Sequence, residues 1–146
     1  MSKKITRDVL RKAVSQEVWQ QFGSRLKTED TLQVLHALFD YVVEVLADRI
    51  DEIRTDDAPA ISFFCEKREF LTINVTRKDL RVYVHPKAGA HFDPKAKFGV
   101  EKFRFWDTSL HKASGKYRAL SFWVSEKKYL SAAKKIIDAI PRAKAT

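Results

Sequence analysis

The sequence predicts an α+β fold: two N-terminal helices, an antiparallel sheet of about five strands, and a C-terminal helix packed on the sheet. Three observations carry that expectation. Apolar residues recur at three- and four-residue spacing through residues 7–53. They alternate with period two through residues 70–85. Helical spacing then returns after residue 125. With 146 residues, 45% of them apolar, the chain suits a single domain over 1–146, with a helical part at 1–57 and a basic sheet part at 58–146.

Each element has its own signal. Thr6 is placed to cap a helix over Arg7 to Phe22, with Val9, Leu10, Val14, Val18 and Phe22 as its apolar stripe and Gly23 as its stop. Thr28 caps a longer helix, and Glu29 and Asp30 in its first turn complement the helix dipole. Leu35, Leu38, Phe39, Val42, Val45, Leu46, Ile50 and Ile53 carry its spacing forward. Its other face holds Asp40, Glu44, Asp48, Asp51 and Glu52. That acidic face suits solvent, the basic half of the fold, or a second subunit. Pro59 disfavours helix at Ala58 and marks the change to strands.

AISFFCE reads as a strand with apolar groups on both faces, reaching a turn at Lys67-Arg68. EFLTINVTRKDLRVYVH reads as a hairpin. A two-residue loop at Arg77-Lys78 sets Thr76 opposite Asp79, Val75 opposite Leu80, Ile73 opposite Val82 and Leu71 opposite Val84. The other face then pairs Asn74 with Arg81, Thr72 with Tyr83 and Phe70 with His85. Such a face offers hydrogen-bond donors beside a stacking ring, or is simply solvated.

KFRFWD and RALSFWVS supply two more strands. Their runs of Phe103, Phe105, Trp106, Phe122 and Trp123 suit burial in the core. Ser125 caps the closing helix and Pro141 ends it, with Tyr129, Leu130, Ala133, Ile136, Ile137 and Ile140 as its buried stripe.

Charge is unevenly spread over the chain, whose net charge is +9. Residues 1–57 carry nine Lys and Arg against eleven Asp and Glu, a net of −2; residues 58–146 carry nineteen against eight, a net of +11. A basic half of this kind favours a polyanionic partner. Lys87, Lys95, Lys97 and Lys102 fall in or beside one long loop; Lys112, Lys116 and Arg118 fall in or beside the next. With Arg81 and Tyr83 on the hairpin, they form the expected nucleic-acid-binding set. Basic groups neutralise phosphates, and exposed rings stack on bases. Phe92 and Phe98 in the first loop either anchor it inward or face a partner.

Other chemistry finds less support. His85, His91 and Asp93 carry ligand types that zinc or iron accepts, and His111 or Cys65 could join them. Their spacing matches no recognised metal motif, so no metal and no cofactor is expected. Asp57, Glu66 and Lys67 resemble part of a restriction-nuclease core, but the Lys of that pattern follows the Glu by two, and Arg68 occupies that position. A metal-free nuclease would need two of His85, His91 and His111 to meet. Glycine-rich phosphate loops and nucleophile elbows are absent from the sequence. Cys65, the single cysteine, sits in an apolar strand as a small core residue. One cysteine and no bilayer-length apolar run suit a reducing cytoplasm, with no membrane partner.

FLTINVTRKDLRVYVHP, followed by SFWVSEKKYLSAAKKIIDAI, resembles a small uncharacterised bacterial α+β domain family, often labelled predicted transport protein and sometimes found beside restriction-type or DNA-associated modules. The resemblance covers roughly residues 60–140. It implies a preceding helix, the hairpin and a terminal helix, and it transfers no catalytic residue. The leading expectation is a small cytoplasmic binding module for nucleic acid or another polyanion. The alternatives are a protein-interaction subunit, homodimeric in one form, and a small His-dependent nuclease-like enzyme.

Overall fold

The computed structural model describes residues 7–26, 28–55, 59–76, 79–85, 99, 101–107, 118–124 and 126–140, with 101–107 and 118–119 described by their backbone alone. Helices come first, then an antiparallel sheet, then a closing helix. The predicted fold class is the one observed.

The N-terminal segment is two helices where one was expected. α1 spans Arg7–Arg11 and α2 spans Gln16–Arg25. Between them the Ser15 hydroxyl accepts the Val18 N–H at 3.2 Å, which caps a new helix in place of continuing the old one. Gly23 does not stop α2. It lies inside the helix, where a Cβ would sit 3.3 Å from Leu32 Cδ2, so its small size admits a close approach to the next helix. α2 ends at Leu26, whose N–H bonds Phe22 O at 2.9 Å.

α3 spans Glu29–Leu46. Thr28 caps it as expected, its hydroxyl accepting the Thr31 N–H at 3.3 Å. The helical spacing was read on to Ile53, but α3 stops earlier. Ile50 is buried beyond a turn, and Glu52–Arg54 forms a short strand, β1. Strand pairing overrides local periodicity here: Asp51 N–H bonds Phe64 O at 2.8 Å, and its carboxylate accepts the Glu66 N–H at 2.5 Å.

The remaining strands are β2 (Ala60–Cys65), β3 (Arg68–Val75), β4 (Leu80–Val84), β5 (Glu101–Asp107) and β6 (Arg118–Val124). The sheet order is β1-β2-β3-β4-β6-β5, every pair antiparallel. The turn between β2 and β3 is Glu66-Lys67, one residue earlier than expected. Both residues take the left-handed conformation, at φ 54° and 66°. The hairpin register is the predicted one, with Leu71 opposite Val84, Ile73 opposite Val82 and Val75 opposite Leu80. Thr76 closes its turn by donating its hydroxyl to Asp79 O at 2.7 Å.

Since β6 lies between β4 and β5, those two strands run parallel. Parallel strands need a connection of a dozen or more residues to bring the chain back along the sheet. Topology thus accounts for the length of the loop that holds His91, Asp93 and Lys87 to Lys97, all of which lie outside the described residues.

One face of the sheet carries the core. Ile61, Phe63, Leu71, Ile73, Leu80, Val82, Leu120 and Phe122 are buried against α3 and against α4 (Leu130–Asp138). A 3-10 turn over Lys127–Tyr129 leads into α4; Ser125, its expected cap, lies outside the described residues. Cys65 packs at the margin of the core from the end of β2.

Candidate functional site

Alternation along β4 builds the face of the sheet turned away from the helices. Leu80, Val82 and Val84 enter the core, so Arg81, Tyr83 and the following His85 point the other way. The register flanks Arg81 with Asn74 on β3 and Trp123 on β6, and flanks Tyr83 with Thr72 and Ser121. Arg104 of β5 stands at the register position of Ser121.

Aromatic packing holds Arg81 in place. Its guanidinium carbon lies 4.5 Å from the Tyr83 ring centroid and 5.5 Å from that of Trp123. The Tyr83 ring lies nearly parallel to His85, with centroids 6.2 Å apart and planes at 23°. Arg81 Nε is buried without an acceptor, and among the described residues no carboxylate pairs with the side chain. Ser121 is 1% exposed, and its hydroxyl is also without a partner among the described residues. Arg54 makes a useful contrast. It lies over Phe64 at 4.5 Å, but Glu52 takes its guanidinium at 2.8 and 3.1 Å. Those hydrogen bonds, with the charge of Arg54, hold the Glu52 carboxyl below the usual carboxylate range, against an opposing effect of desolvation.

A second feature joins this face at the end of β4. Thr72 donates its hydroxyl to Glu69 Oε1 and lies 2.8 Å from His85 Nε2. A hydroxyl has one proton, so His85 must supply the hydrogen of the second bond from Nε2. The Glu69 carboxylate is itself 3.8 Å from His85 Nε2. A β-bulge creates the cluster. Phe63 opposes Leu71 while the next residue, Phe64, opposes Glu69, which leaves Phe70 as the extra residue. Phe70 therefore does not share the polar face with His85. It is fully buried in the core, with Arg49 4.7 Å over its ring, though its carbonyl still accepts the His85 N–H at 3.1 Å.

Of the predicted binding set, Arg81 and Tyr83 come together on this face. Lys102 and Arg118 lie on β5 and β6, the strands at one edge of the sheet; Lys87, Lys95, Lys97, Lys112 and Lys116 lie outside the described residues. His91, His111, Asp93 and Asp57 do so as well. Among the described residues no three His, Cys, Asp or Glu gather at a metal-sized site. Glu66 and Lys67 sit on a tight turn. Sequence reasoning missed Trp123, which was expected in the core. Leu120, Phe122 and Val124 are buried there, and Trp123 is half-exposed opposite Arg81. Strict alternation within ALSFWV was the signal.

Along the stretch nearest α1, the acidic face of α3 is met from within the helical half. Arg7 and Arg11 of α1 reach Glu44 at 3.5 and 3.1 Å, and Arg11 reaches Asp40 at 3.9 Å. Beside these helices a groove of about 650 Å³ is lined by Val14, Trp19, Leu32 and His36, with Trp19 stacked on His36 at 4.0 Å. Arg11 at its rim is committed to those acids.

No family model, curated protein or solved structure matches this chain. Among the described residues, no helix is long and apolar enough to cross a membrane.

Proposed function

We propose that this protein is a small cytoplasmic binding module for nucleic acid or another polyanion, and that the β4–β6 face is its contact surface. One observation carries the reading. Arg81 is held over Tyr83 and Trp123, with no carboxylate paired to it among the described residues. A guanidinium oriented by rings but left without an anion is prepared to take one, and its planar fork matches a phosphate bidentately. The net charge of +11 over residues 58–146 adds long-range attraction. Lys87, Lys95, Lys97, Lys102, Lys112, Lys116 and Arg118 enter this reading through that charge. Kinship with the small bacterial α+β family belongs to the proposal too, and rests on the hairpin and closing-helix sequences.

The test is an anisotropy titration with labelled DNA or RNA across a salt series. Affinity should fall steeply as salt rises from about 50 to 200 mM. Arg81→Gln should weaken binding and reduce the slope of log affinity against log salt by about one. An absence of binding at low salt would remove the proposal.

A further inference from the structure

We infer that the ligand of the β4–β6 face is single-stranded nucleic acid, held by base stacking as well as by phosphate contact; this rests on the polyanion reading above. A surface that only neutralised phosphate would need lysines and arginines and nothing more. Here the arginine is layered with rings. Tyr83 is half-buried, Arg81 lies 4.5 Å over it, and Trp123 stands beyond at 5.5 Å. Aromatic rings and guanidinium planes are the two surfaces on which unpaired bases stack.

Spacing favours a single strand over a duplex. Side chains on one face of a strand repeat every two residues, about 6.7 Å. The Tyr83 and His85 rings follow that repeat, at 6.2 Å. Duplex bases rise about 3.4 Å per step and hide their faces in the stack, so successive groups of β4 cannot meet successive duplex bases. An unstacked strand can widen its step to match. The face also holds polar atoms suited to a base edge. Asn74, partly exposed, lies across from Arg81 and carries an amide that both donates and accepts. Near the tyrosine end, Glu69 has its Oε1 engaged by Thr72 and lies 3.8 Å from His85 Nε2.

The experiment compares three probes by anisotropy or competition at low salt: labelled oligothymidine, the same strand annealed to its complement, and inorganic polyphosphate. The single strand should bind roughly tenfold tighter than the duplex, the size of one base stack. Tyr83→Leu should abolish that preference with only a smaller loss of polyphosphate binding, because Trp123 still flanks Arg81, and Tyr83→Phe should keep it. Arg81→Lys, which keeps the charge and loses the plane, should also erase the preference while polyphosphate still binds. It serves as the second test should Tyr83→Leu fail to fold. Equal affinity for strand and duplex would overturn the single-strand inference and leave the polyanion reading standing. So would parallel losses of strand and polyphosphate binding in either variant. No binding of any probe would overturn both.

Discussion

At the scale of single residues, the face away from the helices divides into polar groups that are satisfied and groups that are not. Thr72 belongs to the first kind. Its hydroxyl joins Glu69 to His85, and the side chains of those partners are 35% and 31% exposed. Thr72→Val keeps the shape and deletes the bridge. Water can reach both orphaned groups, so the cost should be about 1 kcal/mol rather than that of a buried unpaired polar group. Urea unfolding of the two proteins reads it directly, and a loss above about 3 kcal/mol would mean that the bridge is sealed from solvent. Arg81 and Ser121 belong to the second kind. The pairing of Arg81 with Asn74 and of Tyr83 with Thr72 was legible in the sequence, because apolar alternation fixes register and register assigns both faces. The Glu69 contact was not. It depends on the bulge at Phe70, which exchanges the faces of the two residues before Leu71, and neither residue type announces a bulge. Trp123 was misassigned for a different reason: a large apolar side chain next to Phe122 suggests a run buried on both sides, whereas the strand alternates.

At the scale of elements, existence was easier to read than extent. Three helical regions, the hairpin and the two late strands all lie where periodicity put them. Their ends were decided by contacts that are distant in sequence. α3 ends at Leu46 although apolar spacing continues, because Asp51 and β1 are captured by β2 across the turn at Glu66. Gly23 is the clearest case. As a stop signal it would take a left-handed conformation, but it sits inside α2 facing Leu32. Gly23→Ala tests which role is correct. A helical position gains up to about 1 kcal/mol from the change, while a left-handed cap would lose about that much. The added Cβ would press on the end of a flexible, half-buried leucine at 3.3 Å, which can yield by a few tenths of an ångström. Thermal and urea unfolding should therefore show a net gain of about 0.5 kcal/mol. A loss of 1 kcal/mol or more would mean that α2 and α3 cannot separate at this point.

At the scale of the whole molecule, two charge populations share one hydrophobic core. Of the acids of α3, Asp40 and Glu44 are met by Arg7 and Arg11 within the helical half, while Asp30 lies 3.9 Å from Lys127 of the basic half, an exposed pair that contributes little. The layers are joined instead by apolar contact. Phe39 of α3 and Phe63 of β2 lie 6.0 Å apart, and α4 adds Ala133, Ile136 and Ile137 from the other end of the chain. A core that spans both parts makes their stabilities inseparable. Phe63 is fully buried, so Phe63→Ala should cost about 3–5 kcal/mol through lost burial and a residual cavity. The loss should appear as one transition, with helical circular dichroism and tryptophan fluorescence shifting together, because neither layer keeps a buried face alone. Separate midpoints, with the helical signal surviving loss of the sheet, would show that residues 1–57 fold independently. The charge asymmetry would then divide two domains rather than two faces of one core.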